Sequence, residues 1–192
     1  MKNSKKVSSS LLPRGDEDCV LLPVGIPKGA ARGDNSEYII RCSGKLYRLD
    51  TRQLFVWYEC RNLLMKDFVS KAAAALSVTD TDIQKIINDL IAQNLLVPIR
   101  VSAPWNDFKK LTPIPLFDVP KFSKEDAKQA VLSSKIETYY DLWLRFDGST
   151  TLEKIVSEVV LNSKDISTLQ AEQNCCELFF WAVRHQAVVI DM

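Results

Sequence analysis

The chain is poor in the residues from which enzymes and metal sites are usually built. Among its 192 residues there is one histidine, His185. There is no C-x-x-C pair, so a structural zinc site has almost nothing to work with. There is no G-x-S-x-G, no phosphate-binding P-loop, no G-x-G-x-x-G and no carboxylate pair with flanking chemistry. Nucleophilic catalysis needs a Ser or Cys beside a base. The one histidine stands at the end of a helical stretch, where a cation complements the helix dipole. These absences predict a protein that is not an enzyme, with no catalytic residue, no metal and no cofactor.

Other absences bound the class of protein. The five cysteines, Cys19, Cys42, Cys60, Cys175 and Cys176, are odd in number and irregular in spacing, which argues against a disulfide framework. Cys175 and Cys176 lie in an apolar helical pattern and read as small hydrophobes. The longest apolar run, Cys175 to Trp181, is broken by Glu177 and falls short of the ~18 residues of a membrane span. Lys2, Lys5 and Lys6 are not followed by an apolar segment of signal-peptide length, so the expectation is a cytoplasmic protein that spans no membrane. The net charge is +1, which gives no global field towards nucleic acid or a membrane surface. The 46% hydrophobic and 26% charged residues are ordinary for a globular chain of one large or two small domains.

What is present is order. Residues 1–36 are rich in Ser, Lys, Pro and Gly and read as a flexible N-terminal arm. Within it "CVLLPVGIP" is apolar but broken by Pro23, Gly25 and Pro27; it lies against a core or a partner, or is only arm. "EYIIRCSGKLYRLD" (37–50) reads as a hairpin turning at Ser43-Gly44. Alternation puts Tyr38, Ile40 and Cys42 on one face, and sets Leu46 and Arg48 opposite Lys45, Tyr47 and Leu49. Helices follow in "TRQLFVWYECRNLL", in the alanine-rich "KDFVSKAAAALS" and in "VTDTDIQKIINDLIAQN". In the last, Thr79 and Asp82 form a capping-box-like start. Ile83, Ile86, Ile87, Leu90 and Ile91 make its apolar stripe, Asn94 its C-cap, and "LLVPI" runs on extended.

Five of the eight prolines fall between Pro98 and Pro120, which marks 101–122 as a Pro-rich linker. A short helix is expected at about 123–134. Then the order recurs. Ile136, Tyr139, Tyr140, Trp143 and Leu144 give a helical stripe, and Asp147-Gly148 ends it. Thr150 and Glu153 make a capping box, followed by Leu152, Ile155, Val156, Val159 and Val160 at helical spacing. A third helix carries Cys175, Leu178, Phe179, Ala182 and Val183, and "AVVIDM" closes as a strand. The expected fold is α+β, mostly α, with two winged-helix-like halves at 37–100 and 123–192, each three helices plus a small hairpin or strand. Domains of about 60–70 residues bury a limited fraction of their surface, so the halves should pack on each other.

"SGKLYRLDTRQLFVWYE" and "FDGSTTLEKIV" together resemble the PqqD-like fold of the RiPP recognition elements, winged-helix modules that bind precursor peptides for modification pathways. The first match lies in the N-terminal half and the second in the C-terminal half, and together they cover 28 of the 192 residues. The resemblance implies a peptide adding as a strand to the hairpin edge, over the groove beside the third helix. It implies contacts at Lys45, Leu46, Tyr47 and Arg48, with Gln84 and Lys85 flanking the isoleucine stripe of that helix. Strand addition has a sound physical basis, because an edge offers unpaired N–H and C=O groups.

Two other readings compete. A winged helix commonly reads DNA, but residues 80–94 hold Lys85 against Asp80, Asp82 and Asp89. Residues 165–185 hold Arg184 against Asp165, Glu172 and Glu177. Neither third helix is basic, which disfavours nucleic acid. Arg41, Lys45, Arg48 and Arg52 cluster at the hairpin, either as backbone contacts or as guards of a solvated edge. A structural or assembly protein is the third reading. Cys176, Phe180 and Trp181 extend beyond a single helical stripe, as in a helix buried between halves or in a homodimer through Phe180 and Trp181.

Overall fold

The apolar run "CVLLPVGIP" is long enough to repay its own ordering. In the computed structural model, which describes residues 18–30, 37–116, 136–163 and 165–191, it forms two strands, β1 (Cys19–Pro23) and β2 (Ile26–Ala30). Leu21, Leu22 and Val24 are at most 1% exposed, and each such side chain contributes about 1.5–3 kcal/mol when buried. The reading of 1–36 as an arm therefore does not hold for 18–30. Pro23 and Gly25, which break the run, shape the corner between the strands; Gly25 sits at φ +107°.

β2 pairs antiparallel with β3 (Tyr38–Cys42), and β3 with β4 (Lys45–Leu49), in the order β2-β3-β4. The expected hairpin is thus the middle and edge of a three-stranded sheet. Alternation holds: Ile40, Cys42 and Leu49 are buried, while Arg41, Leu46 and Arg48 face solvent.

Helix α1 (Thr51–Glu59) starts at a capping box, where Asp50 accepts from the Gln53 N–H at 2.8 Å and Gln53 Oε1 accepts from the Asp50 N–H at 3.0 Å. A 3-10 turn at Cys60–Asn62 leads to α2 (Met65–Leu76). α3 (Asp80–Ala92) has the capping box expected of Thr79 and Asp82, with both reciprocal bonds made. Its buried stripe is Ile83, Ile87, Leu90 and Ile91, with Ile86 half-buried. Asn94 follows in the left-handed conformation, φ +59°, and releases β5 (Leu96–Arg100). β5 pairs antiparallel with β1, Pro23 opposite Leu96 and Cys19 opposite Arg100.

The expected linker is also structured as far as residue 116. Pro104 opens α4 (Pro104–Phe108), since a helix's first turn tolerates the missing N–H. Asp107 fixes α4 to β5 by accepting two bonds from the Arg100 guanidinium, at 2.8 and 3.0 Å, and one from its backbone. Phe108 and Leu111 are buried. Pro113 and Pro115 lie in β6 (Thr112–Pro115), an edge strand where proline is tolerated. The helix expected at 123–134 lies outside the described residues.

Three helices complete the chain: α5 (Ile136–Trp143), α6 (Leu152–Asn162) and α7 (Thr168–Arg184), followed by β7 (Val188–Asp191). β7 pairs antiparallel with β6. Each half therefore ties the strand after its third helix to a strand that enters before its first helix. The buried face of the α5 region is Tyr139, Leu142, Trp143 and Phe146, whereas Tyr140 and Leu144 are exposed. The Thr150–Glu153 capping box does not form. The N-cap is Thr151, whose side chain makes no cap bond. The first amides of α6 instead donate to the α4–β6 connection, Leu152 N–H to Leu111 O at 3.0 Å and Glu153 N–H to Lys109 O at 2.9 Å. Asp147 organises the break by accepting from the Ser149 and Thr150 N–H groups, each at 2.8 Å, and from both hydroxyls.

The buried side chains of both halves form one contiguous core, from Leu21 to Ile190. Phe108 is fully buried in it, edge-on to Phe179 (4.9 Å) and Phe180 (4.7 Å). All five cysteines are buried thiols outside any disulfide, and burial pushes the Cys60 and Cys176 thiols up to about 12.

Two predictions follow from this architecture. A β-carbon at residue 25 would lie 2.5 Å from Ile40 Cγ2, on backbone that side chains rarely adopt. Gly25→Ala should lower stability by about 2–4 kcal/mol in urea denaturation, from strain and overpacking together. The Ser149 and Thr150 donors hold the Asp147 carboxyl down to about 2, whereas an unfolded aspartate titrates near ~3.9. The stability it contributes is complete above about pH 4 and lost as pH falls towards 2. Asp147→Asn should flatten the acid loss of stability across that window in denaturant titrations at stepped pH.

Candidate functional site

The sheet β2-β3-β4 has two edges of different character. β2 is bulged between Pro27 and Gly29, and its start is tied to the second half by the Gly25 N–H, which donates to Ile190 O at 2.7 Å. β4 is regular over five residues and, among the described residues, pairs on one side only. Its turn has positive φ at both Ser43 (+47°) and Gly44 (+74°), the torsions of a type I′ two-residue hairpin. That geometry makes Cys42–Lys45 a hydrogen-bonded pair, and the register repeats this at Ile40–Tyr47 and Tyr38–Leu49. The N–H and C=O groups of Leu46 and Arg48 consequently point away from β3, to the open edge.

The side chains along this edge alternate. Leu46 and Arg48 lie on the outer face, opposite Arg41 and Ile39, and Leu46 is 66% exposed. Lys45 and Tyr47 lie on the inner face, Tyr47 partly packed on the core. The Arg48 guanidinium pairs with Glu37 at 3.1 Å, with both groups well solvated. Arg41, Lys45 and Arg52 are exposed nearby. The hairpin tip is held from the second half, where Asp191 Oδ1 accepts from the Ser43 N–H at 2.8 Å.

The structure thus brings Lys45, Leu46, Tyr47 and Arg48 into one strip. Gln84 and Lys85 lie on α3, which packs on α1, α2 and β5, while β4 packs on β3 and α1. The two sets are neighbours through α1 and do not form one continuous row. Lys85 is exposed; Gln84 is half-buried, with its amide nitrogen buried and bonded to no described residue.

A second recess was not legible in the sequence. The last turns of α7 face β1 and the 3-10 turn across a cleft of about 690 Å³, with Val20, Leu63, Leu64, Phe180 and Trp181 as its apolar lining. Arg61, Arg184 and His185 also line it. His185 caps α7 as expected, its Nδ1 2.9 Å from Trp181 O and its ring stacked on Trp181 at 4.7 Å. Phe180 and Trp181 are half-buried at this seam between the halves. The lining comes from residues more than 100 positions apart, so only spacing in three dimensions could reveal it.

Among the described residues no cluster of His, Cys, Asp or Glu could hold a metal ion, and no helix is long and apolar enough to cross a membrane. The chain matches no family model, no curated protein and no solved structure.

If the charges on β4 are not structural, they can be reversed at small cost. Lys45→Glu with Arg48→Glu should change the unfolding free energy by no more than about 1 kcal/mol, because exposed ion pairs contribute little. Urea denaturation checks this, and it makes the variant a fair control for binding.

Proposed function

We propose that the chain is a non-catalytic module that captures an extended peptide or protein segment by strand addition to β4. The observation that carries the reading is the open backbone of Leu46 and Arg48 beside the exposed Leu46 side chain. An added strand would satisfy those groups, and Leu46 and Tyr47, on opposite faces, would read alternate side chains of the ligand. Supporting this, the other edge of the sheet is closed by a bulge and a tether, so β4 is the edge left regular.

The order of elements supports reading the halves as winged-helix-like, with a hairpin leading into α1, α2 and α3 and a strand returning after α3. It also favours kinship with the peptide-recognition modules named above, and with it a cytoplasmic role in peptide maturation. The DNA-binding alternative is disfavoured by the solvent face of α3, where Asp80, Asp82 and Asp89 are exposed beside Lys85. The packing of Phe180 on Phe108 favours use of that face to join the halves over use in a homodimer.

The test uses backbone chemistry. Proline at position 46 removes an outward N–H and leaves the bonds to β3 intact, which an edge strand tolerates. A random peptide library panned on the full chain should enrich binders. Leu46→Pro should weaken them at least tenfold, about 1.4 kcal/mol, with thermal stability retained, while Leu46→Thr should keep most of the affinity. Equal binding to Leu46→Pro would remove strand addition. Salt-sensitive binding to generic duplex DNA in place of peptide, lost on Lys45→Glu with Arg48→Glu, would install the regulator reading.

A further inference from the structure

The cleft at the seam is separate from β4 and has its own chemistry. We propose that it binds a small amphipathic anion: an apolar, flat body carrying one carboxylate or similar acid. Three observations converge on this class. The volume, about 690 Å³, is that of a site for a molecule of drug or metabolite size. The lining is apolar and aromatic, with Trp181 held in place by its stack on His185. The charged rim is unbalanced. Arg61 and Arg184 form no ion pair among the described residues, whereas Glu177, the one acid on the rim, accepts from the Tyr139 hydroxyl at 2.6 Å.

Arg61 is oriented before any ligand arrives. Its Nε donates to Tyr58 O at 2.9 Å, and its guanidinium lies 4.5 Å from the Tyr58 ring centre. That leaves the two terminal nitrogens of a planar fork suited to a carboxylate. Arg184 approaches from the last turn of α7 and is exposed. Arg184, with Arg61 at the border between this cleft and the recess that Tyr58 lines, sets positive charge beside the apolar lining, which favours an anion with a greasy body over a freely hydrated ion.

The cleft also has a direction. It shares Glu177 and Phe180 with a neighbouring recess of about 740 Å³ lined by Trp105, Leu169, Glu172 and Cys176. That end carries Glu172 and Glu177, so it repels the acid group while still offering Phe180 and Trp105 to an apolar body. The acid is therefore placed at the Arg61–Arg184 end, with the body pointing towards Phe180.

The experiment titrates the full chain with 2-naphthoate and with its neutral analogue 2-naphthamide, following tryptophan fluorescence and, in parallel, calorimetry. 2-Naphthoate should bind saturably at one site, and 2-naphthamide at least tenfold more weakly. Arg184→Gln alone should weaken naphthoate several-fold, and Arg61→Ala with Arg184→Gln at least tenfold, while neither changes the affinity for naphthamide. Trp181→Phe should remove most of the fluorescence change but not the calorimetric signal. Equal affinity for acid and amide, unchanged binding in the Arg184→Gln variant, or no saturable binding of naphthoate would each overturn the proposal. The Arg184 side chain is exposed and makes no hydrogen bond or ion pair with a described residue, so its substitution keeps the test valid even where the double variant is unstable.

Discussion

Val24 and Gly25 give their backbone N–H groups to opposite halves of the molecule. Val24 donates to Leu95 O at 2.9 Å and Gly25 to Ile190 O at 2.7 Å. The Val24 carbonyl in turn accepts from the indole N–H of buried Trp57 at 3.0 Å. Each of these groups is buried, so each must be paired at the risk of a cost of about 1–3 kcal/mol. Three bonds at two residues thus register β1 against β5, β2 against β7 and α1 against both. Only glycine fits at residue 25, because the backbone is left-handed there and Ile40 fills the space a side chain would need. The position of every surface discussed above depends on this corner.

For the proposed strand addition, the consequence is that among the described residues the sheet offers one regular, unpaired edge. β2 is occupied by its bulge and by its tie to β7, while β4 is pinned at its tip by Asp191 and left open along its length by the described residues. A rigid, regular, single-sided edge gives an extended ligand backbone groups already in place, so little ordering cost falls on the module itself. The same edge carries Lys45 and Arg48, which also protect it from pairing with copies of itself. On the proposed reading the two roles are compatible, since positive charge repels like edges and would admit a complementary segment.

The helices were legible because their signals are local. Thr79 and Asp82 sit three residues apart, the isoleucines of α3 recur at helical spacing, and Asn94 takes the left-handed position after the last turn. The hairpin was legible for the same reason, its alternation and its Ser43-Gly44 turn being complete within a few residues. The candidate edge was readable to that extent: Lys45 to Arg48 were placed on the second strand of the hairpin, and the exposure of Leu46 and Arg48 follows from the alternation. Where local chemistry misled, a distant segment had intervened. Thr150 and Glu153 have the pattern of a capping box, yet the first amides of α6 bond to Leu111 and Lys109 instead.

The amino-acid sequence by itself determined most of the helices, the β3–β4 hairpin and the burial of Cys175 and Cys176 within an apolar helical pattern, because each depends on residue type and short-range spacing. Tertiary structure alone decided that 18–30 and 104–115 are ordered strands and helix, not arm or linker, and that they give Leu21, Leu22, Val24, Phe108 and Leu111 to the core. It also decided that β1 and β6 complete the ladders of β5 and β7, and that Arg61 and Arg184 share a cleft. Prolines and glycines in those segments look like breaks when read along the chain. They become corners and edge positions once partner strands more than 70 residues away accept the remaining backbone groups, and strand pairing over such separations leaves no local trace.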